Sequence, residues 1–449
     1  MSLSTQQRGA TTVVGLLLVL SNPGWCQQET VGPDAPAPAP TPAPETSRFE
    51  TRAEFLDRTA LAEFDLAASV GSRLIDLVEA EDGPTSRELA DVLTEVGEVQ
   101  RLAKEYEAAE GSLLRAIDIY QSLEGPTSAQ LVKPMVSLGL NYNDSEKYAP
   151  AVIIFSEARS IERRNHGLLN ESQLAIIGHV TESYIQLRDY EQAHRKQLEG
   201  LRLSQRIHGV DTIASLPALY TYADFLRDVG SYDAARVYYS QAIRIIHDNR
   251  GKLDSAAAYP LRQIGNSYRE QMLNEGMGAG SLKRAVEILE QTEPLDSLEL
   301  ARAYRDLGDW YTAFSRVGKG SEEYEKAWQV LENSEAGTAL RAEWFATRRP
   351  EFVRYMPVSQ RGLRFKGSEP GLKEGFVTIQ FDLLANGRTE NVTILESDPV
   401  GAKDESALRS MRTSRLRPNI IDGKVVRTEA LRRRYVFTYK PSAFKADAN

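Results

Sequence analysis

Apolar and small residues recur along most of this chain with a long period. Glycines stand at Gly83, Gly125, Gly167, Gly209 and Gly251, each 42 residues after the last. Just beyond each lies a residue suited to open a helix: Thr85, Thr127, Asn170, Asp211 and Asp254, with Asp296 continuing the series. Thr85 with Glu88 and Thr127 with Gln130 have capping-box spacing, and the preceding glycine can take the left-handed conformation that ends a helix. Each period therefore closes one helix and opens another.

A second set of positions recurs inside the period. Small residues at Gly97, Gly139, Thr181, Ala223, Gly265 and Gly308 precede Gln100, Tyr142, Tyr184, Leu226, Tyr268 and Tyr311 by three residues, a tight spot followed by an aromatic plug. Farther on come Tyr106, Tyr148, Tyr190 and Tyr232, then Ala109, Ala151, Ala193 and Ala235, then Ala116, Ala158, Gly200 and Ala242. Small residues at these points allow two antiparallel helices to approach closely. The order of Gly, Tyr, Tyr, Ala, Phe/Tyr and Ala, clearest in Ser137 to Ala158, resembles the tetratricopeptide repeat with a lengthened second helix, in six copies over residues 88–333. The fifth copy departs after Tyr268, where no Tyr or Ala stands at the expected places, so its second helix is expected to be displaced or interrupted. Residues 49–82, with Phe55, Leu56, Leu61, Phe64, Leu66, Val70, Leu74 and Leu77, predict a leading helix or hairpin that caps the array.

The resemblance implies a superhelix whose inner groove, lined by the first helix of each pair, binds protein partners. By register the groove candidates are Asn143, Arg227, Arg262, Asn266, Arg269 and Arg305. Arg262 and Asn266, one helical turn apart, resemble the way some family members hold a peptide carboxylate. The plainer alternative is a solvated helix face.

From about residue 350 the period changes to two. Val377, Ile379, Phe381 and Leu383 alternate with polar residues, Asn386-Gly387 signals a hairpin, and a second alternating run passes Val392 and Ile394. A helix burying Ala407, Leu408 and Met411 follows, then a strand from Leu431 to Tyr439. Tyr355-Met-Pro357, Gly375-Phe-Val377, Phe381-Asp382, Asn386-Gly387, Val392, Glu396-Ser397, Ala407-Leu408, Leu416-Arg-Pro418, Gly423 and Tyr435-Val-Phe437 are similar in kind and order to the TonB C-terminal domain. Residues 362–375 form a longer and more polar entry than is usual there. The fold expected is an α-helical solenoid followed by a small α+β domain, a three-stranded antiparallel sheet with a helix.

In that family an exposed final strand pairs with an extended peptide from an outer-membrane transporter, a case of strand addition. The corresponding residues are Leu431, Arg432, Arg433, Arg434, Tyr435, Val436, Phe437, Thr438 and Tyr439. The arginine run either attracts an acidic peptide or protects the edge against aggregation.

The N-terminus reads as a secretory signal: Arg8, an apolar run from Thr11 to Leu20, then Ser21, Asn22, Pro23 and Gly24. About ten helical residues reach only roughly 15 Å, against a hydrocarbon core about 30 Å thick. Cleavage after Cys26 would leave no cysteine, since the chain has only 1, and so neither disulfides nor thiol catalysis. Lipidation of Cys26 is disfavoured by Trp25 just before it. The Pro/Ala run over residues 31–46 predicts an extended spacer. The expected segments are a signal peptide over 1–26, a linker over 27–48, the helical array over 49–345 and the β-rich domain over 346–449.

Composition, with 41% hydrophobic and 26% charged residues, is that of an ordinary soluble globular protein and not of a membrane or disordered one. The net charge of −9 hides a split: residues 347–449 hold 20 Lys and Arg against 12 Asp and Glu, which is +8 and leaves −17 for the rest. The basic domain could therefore fold back on the acidic body and hide its own edge strand until a partner arrives.

His166, His179, His194, His208 and His247 show no metal-binding HExxH spacing, and neither a phosphate-cradling loop nor a GxSxG elbow occurs. No enzyme, cofactor, metal or nucleic-acid partner is expected. The reading is a periplasmic scaffold that docks an envelope partner, an outer-membrane transporter among the candidates. The alternative is a TonB-type energy transducer held in the inner membrane by an uncleaved N-terminus. Its Pro/Ala segment of 16 residues would span about 50 Å.

Overall fold

The repeat period is realised as paired helices. The computed structural model describes residues 47–273, 276–315, 318–332, 337–346, 348–358 and 373–439. The segment expected to be a signal, residues 27–46 of the expected linker, and residues 362–372 of the polar entry lie outside the described residues. A leading hairpin, α1 (Arg48–Ala60) and α2 (Phe64–Asp82), is followed by α3 (Arg87–Leu102) with α4 (Tyr106–Glu124), α5 (Val132–Asp144) with α6 (Tyr148–His166), and α7 (Ser172–Gln186) with α8 (Tyr190–His208). Then come α9 (Leu216–Asp228) with α10 (Tyr232–Arg250), α11 (Ala258–Glu270) with α12 (Gly276–Glu290), α13 (Ser297–Ala313) with α14 (Lys319–Glu332), and a last short helix α15 (Gly337–Phe345). Each helix packs on its neighbours in sequence, and first helices also touch one another, as α3 does α5 and α11 does α13. This nearest-neighbour pattern is that of a solenoid.

The tight spots lie where first and second helices cross, but the residue that fills them comes from the opposite helix. Leu113 presses on Gly97, Phe155 on Gly139, Leu282 on Gly265 and Tyr324 on Gly308. A side-chain carbon added at Gly139 would lie 2.5 Å from the Phe155 ring. The aromatic three residues on does different work: the hydroxyl of Tyr142 donates to Glu110 Oε1 of the preceding pair at 3.0 Å. The inter-pair glycines carry positive φ, as at Gly83 with φ 89° and ψ 163°, a region that glycine alone occupies at low cost.

Two capping expectations shift by one residue. Ser86, not Thr85, accepts from the Leu89 amide at 3.2 Å, and Ser128, not Thr127, accepts from the Gln130 amide at 3.1 Å. The fifth pair meets the first of its two expected outcomes. Among the described residues its second helix runs uninterrupted from Gly276 to Glu290, with its packing positions displaced by one. The preceding turn keeps the period, with positive φ at Lys104, Glu146, Arg188, Gly230 and Met272. One extra residue follows, so Gly278, Leu282 and Ala285 take the small, plug and small positions one place late. The sixth pair inherits that offset, with Gly320, Tyr324 and Ala327.

The C-terminal module has β1 (Phe352–Arg354), β2 (Lys373–Leu383), β3 (Thr389–Asp398), α16 (Asp404–Thr413), β4 (Arg415–Leu416), β5 (Asn419–Ile421), β6 (Lys424–Val426) and β7 (Thr428–Tyr439). Its main sheet has the order β3-β2-β7, all antiparallel, while β1 pairs with β4 and β5 with β6. Val377, Ile379, Phe381 and Leu383 form a core with Val392, Ala407, Met411, Leu416 and Leu431, beneath α16. Ala385, Asn386 and Gly387 form the β2–β3 loop, closed by the Leu384 amide donating to Arg388 O at 2.9 Å. Gly387 has φ 75° and lies against Thr312 of α13 and the Leu416 carbonyl, so a side chain would be excluded both by conformation and by space.

The packing yields a contrast in stability. Gly139→Ala should cost about 1–3 kcal/mol through overpacking against Phe155. Gly111→Ala, on the open face of α4, should gain up to about 1 kcal/mol in helix propensity. Urea denaturation of the two variants measures both signs.

Candidate functional site

Two places can carry function: the junction of array and module with the first-helix face leading to it, and the outer strand of the module's sheet. At the junction the chain buries a full ion pair. Arg417, in the Leu416-Arg-Pro418 stretch, donates from Nε to Asp309 Oδ1 at 2.9 Å and from Nη2 to Asp309 Oδ2 at 2.7 Å. Its Nη1 reaches Glu351 Oε2 at 2.8 Å, and the Tyr324 hydroxyl donates to Asp309 Oδ1 at 2.9 Å. Arg417 and Asp309 are 4% and 3% exposed, which makes this a desolvated, two-pronged pair. Around it Ile420 enters the core of the last repeats, Arg354 Nη1 donates to Ala313 O at 3.3 Å, and Lys424 pairs with Glu325 at 2.7 Å.

Burial alone would raise the Asp309 pKa, but Arg417, with Arg269 and Arg305 behind it, holds it below the usual carboxylate value. Asp306, one turn earlier on α13, behaves alike. Burial opposes its charge, yet Arg262, Arg305 and Asn266 keep it well below the ordinary range. The Tyr324 hydroxyl is pushed far up, by burial first and by Asp309 next.

The six groove candidates divide accordingly. Arg262 donates from Nε to Asp306 Oδ2 at 2.9 Å and from Nη1 to Glu299 Oε2 at 2.6 Å, and Asn266 Nδ2 reaches the same Asp306 oxygen at 3.0 Å. Both are buried, so they brace α11 against α13 where the sequence suggested an open carboxylate clamp. Arg305 also engages Asp306, at 2.9 Å, while its guanidinium lies 4.4 Å from the centre of the Trp344 ring. Arg269 leaves the array altogether, donating to Val353 O of β1 at 2.9 Å. Arg227 meets Gln263, Asp228 and Glu270. Asn143 stands apart, accepting from Ser183 Oγ at 2.8 Å. Thus Arg262, Asn266 and Arg305 are brought together on Asp306, Arg269 reaches the module, and Asn143 and Arg227 keep partial exposure on the first-helix face.

Asp306, Asp309 and Arg417 were not among the sequence candidates. The two acids stand on a helix whose residues Leu300, Ala301, Ala303, Tyr304, Leu307 and Trp310 are apolar, and a charge interleaved with core residues is one that burial would oblige to pair.

The second place is β7. Among the described residues it pairs only with β2, in unbroken register from Phe381 opposite Leu431 to Lys373 opposite Tyr439. Residues alternate between faces: Leu431, Arg433, Tyr435, Phe437 and Tyr439 turn to the covered side, while Arg432, Arg434, Val436 and Thr438 are exposed. From Leu431 to Thr438 no backbone hydrogen bond to another described strand occupies the outer edge. A cleft of about 500 Å³ borders the strand, lined by Arg349, Pro350, Thr378, Glu396 and the three arginines. The fold-back suggested by the charge split does occur, but through β1, β4, β5 and β6, whereas β7 makes its principal contacts with β2.

Of the histidines, His194 shares a hydrogen bond with the Tyr222 hydroxyl at 2.8 Å, and His179 stacks on Phe155 with its pKa lowered by burial and then by Arg101. Among the described residues no group of three or more His, Cys, Asp or Glu is placed to hold a metal, and no helix is long and apolar enough to cross a membrane.

Residues 372–438 match the family model described as the Gram-negative bacterial TonB protein C-terminal. No curated protein matches the chain. Similar solved structures include BtubC (BKLC) from P. vanneervenii, 16% identical over 55% of this chain and 96% of that one, TM-score 0.38. Another is a putative kinesin light chain from Podosopora anserina with nearly identical TPR-like repeats, 11% identical over 46% and 99%, TM-score 0.40. A third is aspartyl phosphate phosphatase F from Bacillus subtilis, 14% identical over 65% and 71%, TM-score 0.40. Scores this low carry no argument, and the helix pairing described above carries the fold. The chain joins a helical repeat array of tetratricopeptide type to a TonB C-terminal-type module.

Removing one partner of the buried pair should be costly. Arg417→Ala leaves Asp309 unpaired and should destabilise the joined unit by about 3–5 kcal/mol, read by chemical denaturation. Because the folded pKa values of Asp306 and Asp309 lie below the unfolded value of about 3.9, their stabilisation is fully present above that pH. It is lost as pH falls through the folded values. The denaturation midpoint should therefore stay level from about pH 7 to 5 with respect to these groups and fall below about pH 4.

Proposed function

We propose that this protein is a non-enzymatic periplasmic scaffold whose C-terminal module docks an extended peptide of an envelope protein by strand addition to β7, with outer-membrane transporters as the favoured source. The observation that carries the reading is the outer edge of β7 from Leu431 to Thr438, which no other strand among the described residues occupies, in a module whose residues 372–438 match the TonB C-terminal family model. An edge of this kind presents backbone donors and acceptors to an incoming strand, and the side chains beside it supply selectivity. The docking residues are Leu431 to Tyr439. The acids and cations of the junction are spent on one another, which supports a holding role there and not a catalytic one.

The array would hold a further protein partner along its first-helix face, where Asn143 and Arg227 keep partial exposure. The module is seated on that array by buried contacts, so the full chain is the proper reagent. The short apolar run from Thr11 to Leu20 fits export better than a membrane anchor.

A photo-activatable side chain at Thr438 of the full chain, expressed in a Gram-negative envelope, tests this directly. Adducts with the N-terminal segments of outer-membrane transporters are expected, and Val436→Pro, which removes an edge amide, should abolish them. Adducts that persist unchanged in a folded Val436→Pro protein would sink strand addition.

A further inference from the structure

The three consecutive arginines of β7 are not equivalent. Arg433 turns to the covered face, where it lies 4.1 Å from the centre of the Phe352 ring and donates to Pro350 O at 3.0 Å. Arg432 and Arg434 emerge on the opposite face, beside Gln380 and Thr378 of β2. The Arg434 guanidinium carbon lies over Phe376, 3.5 Å from the ring centre. Among the described residues neither Arg432 nor Arg434 has an ion-pair partner. By contrast Arg417, Lys424 and Arg427 of the same module each meet a carboxylate at 2.7 Å. Two guanidinium groups with no ion-pair partner among the described residues therefore stand two residues apart on one face, next to an edge that no other described strand occupies, with Glu396 the one carboxylate lining the same cleft.

Building on the strand-addition reading, we infer that β7 selects an acidic strand: an extended segment of a protein partner with Asp or Glu at positions i and i+2. A strand added to β7 places two same-face residues opposite Arg432 and Arg434, with Cβ atoms about 4.5–5.5 Å away, within reach of a carboxylate. The spacing reads the same in either strand direction. Acids at the intervening positions would turn to the covered face, where Arg433 is already engaged. A second copy of this chain would bring the same two cations to the seam, so charge favours an acidic partner over self-pairing.

Fluorescence anisotropy on the full chain, with short Thr/Val peptides carrying Glu-x-Glu, Gln-x-Gln or Lys-x-Lys at their centre, tests this. Glu-x-Glu is expected to bind about tenfold more tightly than Gln-x-Gln, with the gap closing at high salt. The double variant Arg432→Glu with Arg434→Glu should reverse the order toward Lys-x-Lys. Equal binding of the Glu and Gln peptides, both lost on N-methylation of alternate peptide amides, would overturn the acid preference while strand addition stands. Glu-peptide binding that survives both registers of N-methylation, or no binding by any peptide, would overturn strand addition and the acid preference together.

Discussion

The burial of Asp309 with Arg417 is the constraint on which the arrangement of this molecule depends. Taking two charges out of water costs several kcal/mol per ion, and the pair is tolerated only when geometry and supporting hydrogen bonds are good. Here the carboxylate receives two prongs of the guanidinium and a tyrosine hydroxyl, while the third guanidinium nitrogen reaches Glu351. A planar fork accepts few orientations. Fixing Arg417 on α13 places the neighbouring β5–β6 hairpin so that Ile420 enters the array core, and it brings the β2–β3 loop against Thr312 at Gly387. The module thereby covers the last repeats, the end of a solenoid that most needs a cap.

This clarifies what the charge split does. An acidic body and a basic module attract at long range, but the exposed Lys424–Glu325 contact is of a class that contributes little. Specificity comes from the desolvated pair, and behind it from the alternation of Arg262, Asp306 and Arg305 along α11 and α13. Arg269 links that run to β1. Part of the expected groove face is a brace: Arg262 and Asn266 meet Asp306 of the next repeat, Arg269 meets the module, and Arg305 meets the adjacent Asp306.

How much of this could be read from the sequence follows from the range of the interactions. The repeat was legible because helix crossings demand small residues at fixed intervals, and Gly97, Gly139, Gly265 and Gly308 meet that demand. The caps slipped by one because Thr85-Ser86 and Thr127-Ser128 each offer two competent hydroxyls, and only backbone conformation chooses between them. The fifth pair looked broken because one inserted residue moves every expected position while leaving the packing intact. Register identified the face on which Arg262 lies but not that Asp306 faces it 44 residues on. The pairing of Asp309 with Arg417 spans 108 residues and has no period at all.

The main sheet has two outer strands, and the difference between them argues for β7 as the docking edge. β3 meets β2 through two register shifts, between Thr378 and Ile379 and between Gln380 and Asp382, and Asn391 takes a positive φ of 49°. Bulges of this kind bend and twist a strand away from further pairing. α16 also packs closely on β3. β7 runs without a shift from Leu431 to Tyr439 opposite β2. β7 has a shift of its own, beside Phe381 and Leu383 of β2 where Ala430 takes a φ of 55°, but the stretch beyond it is regular. A regular edge is an aggregation hazard unless it is guarded, and the guards on its exposed face are Arg432 and Arg434. Positive charge that repels like edges also favours an acidic one, so protection and selection can be the same two residues. Among the described residues the sheet is bulged twice along β3, whereas β7 keeps one register from Leu431 to Tyr439.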